Sequence, residues 1–151
     1  MTSRTTLRAA LLVLATLLVV PGGCGRRSSV PAASGSTKVT FASLEFSSAL
    51  SLAKKENRLV MVDFYTDWCG WCKKLDKETY GDARVAEALR DVISIKVNAE
   101  KGGEAVAEQY RVRGFPTVIF VSGSGEVVRR VEGYVGADEM LKIVSSLKRP
   151  A

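Results

Sequence analysis

Residues 59–73 read Leu59-Val60-Met61-Val62-Asp63-Phe64-Tyr65-Thr66-Asp67-Trp68-Cys69-Gly70-Trp71-Cys72-Lys73, and a change of pattern inside this stretch decides the fold. From Leu59 to Tyr65 the run is almost continuously apolar and rich in branched and aromatic side chains, which suits a central buried strand. Two cysteines three apart follow at once, and the segment from about Cys69 to Thr79 reads as a helix. A strand that runs straight into a helix at a cysteine pair aims helix-terminal N–H groups at the first sulfur and favours its thiolate. The dipole contributes only ~0.3–1 kcal/mol at an exposed site, whereas lowering a thiol pKa from ~8.5 to ~7 requires about 2 kcal/mol. A hydrogen bond from Cys72 to the Cys69 sulfur is expected to supply the remainder.

Upstream of this stretch, Phe46, Ala49, Leu50 and Ala53 recur at helical spacing before Lys54-Lys55-Glu56-Asn57. Downstream, Gly81 interrupts the cysteine helix, and Asp82 stands as a cap for a second helix carrying Val85, Ala86 and Leu89. Val92 to Val97 reads as a strand and Ala105 to Tyr110 as a helix. Thr117 to Val121 and Glu126 to Val131 flank Ser122-Gly123-Ser124-Gly125 as a hairpin, and Ala137 to Leu147 forms a closing helix. Alternating strands and helices imply parallel crossovers, and the hairpin adds antiparallel strands. The expected fold is α/β, a central mixed sheet with helices on both faces.

The whole chain of 151 residues is the size of one ordinary domain. Its net charge is +6, and removing residues 1–23 takes away two arginines and no acid, leaving +4. The remaining basic residues alternate with Asp and Glu, which points away from a nucleic-acid partner. Arg4 and Arg8 precede an aliphatic stretch from Ala9 to Val20, followed by Gly22 and Gly23, so residues 1–23 read as a signal peptide. That stretch is shorter than the roughly 18 apolar residues of a membrane-spanning helix. Gly22-Gly23-Cys24 is similar to the lipobox of bacterial lipoproteins, in which the cysteine carries lipid, although Pro21 stands where leucine is usual. Cleavage after Gly25 is the alternative. Residues 24–38, rich in Arg, Ser, Pro, Ala and Gly, read as a tether, and 39–149 as the folded domain.

Cys69 and Cys72 invite three readings besides redox chemistry. A structural zinc site needs four ligands, but the chain has no histidine and its other cysteine is Cys24 in the export segment. A structural disulfide would close too short a loop to constrain the unfolded chain much. Two unpaired core cysteines fit poorly beside Trp68, Gly70 and Trp71. A CxxC near a strand–helix–strand pattern favours thiol–disulfide exchange.

The motif Val62 to Lys73, with Arg113-Gly114-Phe115-Pro116-Thr117 downstream, resembles the thioredoxin superfamily. Within it, Tyr65 to Lys73 with Lys77 to Tyr80 and Val85 resembles the C-terminal thioredoxin-like domain of the bacterial thiol:disulfide interchange protein DsbD. The likeness covers about Leu59 to Leu147. It implies a thioredoxin-like fold in which Cys69 is the exposed nucleophile and Cys72 the resolving thiol. Asp63 matches a buried carboxylate that assists deprotonation of the resolving cysteine; read alone, Asp63 is either that or a solvent-facing strand residue, since an unpaired buried anion is costly. Lys96 matches a lysine near that carboxylate, or is an ordinary exposed strand residue. Pro116 matches a cis-proline that faces the dithiol and helps align a substrate backbone, and Trp68, Gly70, Trp71, Phe115 and Thr117 are the candidate substrate-binding residues. Trp68 either covers the site or plugs the core. Trp71 stands where thioredoxin has Pro and the isomerases have His, and Lys77 replaces a helix-kinking proline.

The function expected from this resemblance is reduction of disulfides in exported proteins, with Cys69 attacking and Cys72 resolving. No cofactor is expected beyond the Cys69/Cys72 couple, no resident metal, and no nucleotide or flavin motif is present, so electrons would come from a membrane thiol donor. The expected location is the extracytoplasmic side of the cell envelope, with a membrane lipid anchor at Cys24. An oxidase or isomerase would use the same residues in reverse. A Cu(I) carrier would use the paired thiolates as soft ligands.

Overall fold

The computed structural model describes residues 36–147. The expected signal peptide, most of the tether, Cys24 and the last residues of the expected domain lie outside them. Val39 is buried, and its N–H donates to the Tyr80 carbonyl.

Four strands form one sheet in the order β2-β1-β3-β4, with β1 at Val60–Tyr65, β2 at Ile93–Asn98, β3 at Thr117–Val121 and β4 at Val127–Glu132. The central pair explains why β1 and β3 are apolar throughout: both are covered on both faces. Alternation along β1 sends Val60, Val62 and Phe64 into one cluster with Ile95, Ile119 and Val121. Ala49 and Ala53 of α1 (Phe46–Glu56) and Ala107 of α4 (Glu104–Gln109) cover that face. Met61 turns to the opposite face, where Val118 and Phe120 meet Leu75, Val85, Met140 and Ile143. The latter come from the cysteine helix, α3 (Ala83–Ala88) and α5 (Ala137–Ser146). By the same alternation Asp63 lies on the face of Met61.

The mixed sheet with helices on both faces is as expected, with one difference in direction. β1 and β2 are parallel, but the second strand–helix–strand connection leaves β3 antiparallel to β1, with Thr117 opposite Phe64 and Val121 opposite Val60. The six-residue α4 spans about 9 Å, less than half the ~20 Å of a six-residue strand, and does not carry the chain back to the far end of the sheet. β3 therefore starts where β1 ends.

The cysteine helix also differs. It is α-helical as α2 only over Gly70–Lys74 and continues as a π-helical turn over Leu75–Thr79, where the Tyr80 N–H reaches back to the Leu75 carbonyl. A Cβ at Gly81 would fall 2.3 Å from the Lys77 carbonyl oxygen, so the turn closes tightly only on glycine. Asp82 then caps α3, accepting from the Arg84 N–H at 2.8 Å. The hairpin closes as expected at Ser122–Gly125, with Gly125 at φ +83°.

Candidate active site

Cys69 occupies the cap position of α2, and its sulfur accepts the Cys72 backbone N–H at 3.1 Å. The expected hydrogen bond from Cys72 is thus supplied by its amide. The two residues are joined in a disulfide with Cα atoms 5.3 Å apart. Cys69 is only 3% exposed and Cys72 2%, so in the disulfide form Cys69 is not the exposed residue expected: both cysteines are buried.

The exposed surface here belongs to the tryptophans. Trp68 is 68% exposed and Trp71 58%, which removes the core-plug reading of Trp68. Trp68 stands edge-on to Phe115, and its Nε1–H is shared between the two Glu100 carboxylate oxygens at 3.1 and 3.0 Å. Next to it, the Asp67 carboxylate accepts from Asn98 at 3.0 Å and Lys101 at 2.6 Å. Lys101 above all holds the Asp67 pKa below the ordinary carboxylate value. Together these bonds tie the loop before the cysteines to the loop after β2. Trp71 lies beside Tyr134 at 5.7 Å, with the Lys74 ammonium over both rings at 5.1 and 4.6 Å. Tyr134 in turn donates to Glu78 at 2.7 Å.

Phe115-Pro116 is cis. With Trp71, Gly133 and Tyr134 these two residues line a shallow cavity of about 310 Å³. The Pro116 carbonyl accepts the Gly133 N–H, and Thr117 is buried, its hydroxyl donating to the Gly114 carbonyl. The fold therefore brings Trp71, Phe115 and Pro116 together across a gap of more than forty residues in sequence. At Gly70 an added Cβ would meet nothing within 4 Å, which leaves the surface between the tryptophans low and open.

Asp63 is completely buried, which removes its solvent-facing reading. Lys96 sits opposite it in the β1–β2 register and brings Nζ to 3.3 Å from Oδ2. Lys96 also binds Asp76 of the π-helical turn and is only 22% exposed, so it is not an ordinary surface lysine. Burial pushes the Asp63 pKa up to about 6; Lys96 pulls against this and Asp76 adds to it. Neither Asp63 oxygen has a hydrogen-bond partner among the described residues, and the buried Thr66 and Tyr80 hydroxyls likewise have none. Sequence reading missed Asp76, Tyr134, Asn98, Glu100 and Lys101. Each meets its partner through a contact that no local pattern announces.

The thioredoxin-like domain family matches residues 46–148. The DsbD protein of Pasteurella multocida, a thiol:disulfide interchange protein, is 32% identical over 102 residues, covering 64% of this chain. The chain spans only 18% of that relative's length. Among solved structures, a protein of Bacteroides thetaiotaomicron named as a candidate disulphide-isomerase is 40% identical, with a TM-score of 0.64 over 72% of this chain and 91% of its own. The reduced C-terminal domain of Neisseria meningitidis DsbD is 29% identical, with a TM-score of 0.57 over 67% of this chain and 92% of its own. The chain belongs to the thioredoxin-like domain family.

Proposed function

We propose that the chain is an exported protein-disulfide reductase. The observation that carries this reading is the Cys69–Cys72 disulfide capping a helix that follows directly from the strand bearing buried Asp63. In the reduced form the Cys69 thiolate attacks one sulfur of a substrate disulfide; a Cys69–substrate disulfide forms as the substrate's S–S bond breaks, and the second substrate sulfur leaves as a thiolate. Cys72 then loses its proton to the Asp63 carboxylate and attacks Cys69. The internal disulfide forms, the substrate's remaining thiolate departs, and two electrons have passed to the substrate. A carboxylate with a pKa of about 6 is ionised at neutral pH yet basic enough to hold that proton briefly. The cavity floored by Pro116 gives the substrate backbone its seat, because proline has no N–H to occupy that edge. A membrane thiol donor would restore the two electrons.

Arg4, Arg8, the apolar run from Ala9 to Val20 and Gly22-Gly23-Cys24 support export and a lipid on Cys24. Intact mass of the envelope-purified protein tests this: a lipidated Cys24 at the N-terminus is expected, and an unmodified Cys24 removes the anchor while leaving export standing. For direction, the potential of the Cys69/Cys72 couple is measured by equilibration with glutathione, together with insulin reduction. A value near about −270 mV fits the reductase, and one near about −120 mV makes the chain an oxidant. The 40% identity to the Bacteroides protein supports isomerase action as the second reading. Recovery of activity from scrambled ribonuclease, without net reduction, would favour it.

A further inference from the structure

Val39 to Ala42 lies upstream of the family match at residues 46–148 and crosses the sheet edge as a short strap. It is pinned at both ends: the Val39 N–H donates to Tyr80 and the Ala42 N–H to Ser94, each at 2.8 Å. Between these pins the Phe41 ring stands edge-on to Tyr80 at 5.1 Å. It also faces the Lys96 ammonium at 5.2 Å, while Tyr65 and Tyr80 face the same ammonium at 5.0 and 6.0 Å. All three rings are within the ~6 Å over which a cation is held by an aromatic face. The cation bound to buried Asp63 thus sits among three rings from three separate parts of the chain, and the strap supplies the outer one.

We propose that Phe41 is a positioning residue for the proton acceptor: it closes the outer side of the Lys96–Asp63 pair and keeps water off it. This rests on Asp63 being the proton acceptor of the proposed reaction. The groups facing Asp63 are Lys96 from β2, Asp76 from the π-helical turn and Tyr80 just after it, with Tyr65 beside Lys96 on its own strand. Asp76 grips Lys96 independently of the strap. Loss of the Phe41 ring therefore admits water without releasing the cation. Because burial is the largest influence on Asp63, admitting water lowers its pKa.

The test is a carboxyl NMR titration of Asp63 in the oxidised protein, with amide exchange at Val39 and Ala42 reporting whether the strap stays docked. Phe41→Ala is expected to lower the Asp63 midpoint by about one unit, with the strap docked; Phe41→Leu, which keeps most of the cover, is expected to restore most of the shift. If Phe41→Ala does not fold, Phe41→Val takes its place with about half the shift. An unmoved midpoint with Phe41 shortened, or equal shifts in the Leu and Ala variants, overturns the proposal. The pH profile of mixed-disulfide resolution should move with the midpoint. A midpoint that moves while that profile stays still upholds the shielding by Phe41 and instead sinks the role of Asp63 in the reaction.

Discussion

Asp63 and Asp67 are the same residue type four positions apart, and the fold drives them in opposite directions. Asp63, on the face of Met61 and completely buried, has its pKa pushed up to about 6 by burial despite a lysine at 3.3 Å. Asp67, beyond the strand end, is exposed, and its hydrogen bond from Lys101 holds its pKa down. Both have a lysine partner, so the presence of a cation does not decide the outcome. Water does: where it is excluded, the cost of the charge outweighs the attraction of the partner. The first environment suits a group that exchanges a proton near neutrality, and the second suits a fixed brace.

The largest expected effect sets the zero for this comparison. Cys69→Ser should abolish trapping of substrates on non-reducing gels, whereas Cys72→Ser should accumulate mixed disulfides on Cys69. In the Cys72→Ser background, Asp63→Asn and Asp67→Asn should leave the rate of first attack alike; a tenfold slowing by Asp63→Asn would mean that Asp63 serves Cys69 instead. Next in size, Asp63→Asn with both cysteines present should slow resolution at pH 7 on the order of 10²-fold, the range of a general base. Asp67→Asn should change it by less than about twofold. Rapid-quench measurement of mixed-disulfide decay distinguishes the two, and equal slowing would erase the difference between buried and exposed carboxylate.

Stability gives the third prediction, with a definite sign. Native Asp63 takes up its proton near pH 6, while the unfolded chain does so near 3.8, so the folded state binds protons more strongly between these values. Its contribution to stability is favourable below that window and is lost as pH rises through it. Urea unfolding should show Asp63→Asn gaining on the parent by roughly 2 kcal/mol between pH 4 and pH 8. A gap that does not change with pH would contradict the raised pKa. Asp67 carries the reverse sign, because its pKa is depressed: its contribution is present above the ordinary carboxylate pKa and is lost as pH falls. This is the smallest effect, since the pair is exposed. The difference between Asp67→Asn and the parent should vanish in high salt.

The signals that reached across the sequence were those that local physics can write. The apolar run at Leu59–Tyr65, the cysteine spacing, the cap at Asp82 and the glycine-rich turn at Ser122–Gly125 each impose their element by short-range sterics or hydrogen bonding, and all of them hold. The proline at 116 was legible through resemblance, not through its own pattern; its bond is cis, as that likeness implied, and it lines a cavity with Trp71. What escaped was set by length and by packing between distant parts. The direction of β3 depends on how far a six-residue helix carries the chain. The burial of Lys96 depends on Phe41, Tyr65 and Tyr80 arriving from three directions. The lysine itself carries no mark of this.

If the chain acts on exported proteins as proposed, the two rims of the sheet bear on how it withstands those substrates. A chain that handles unfolded or misoxidised proteins meets strand-prone segments constantly, and an unguarded sheet rim is a template for them. At β2 the strap closes part of the rim, since the Ser94 carbonyl is already taken by the Ala42 N–H. At β4 the register slips between Phe120 and Val121 of the partner strand, and β4 carries Arg129 and Arg130, the latter bonded to the Tyr110 carbonyl, next to the exposed Val127 and Val128. A slipped register and like charges both discourage a foreign strand from zipping on. If the chain reduces protein disulfides as proposed, such guarded rims let it hold a substrate at the cavity beside Pro116 without co-aggregating with it.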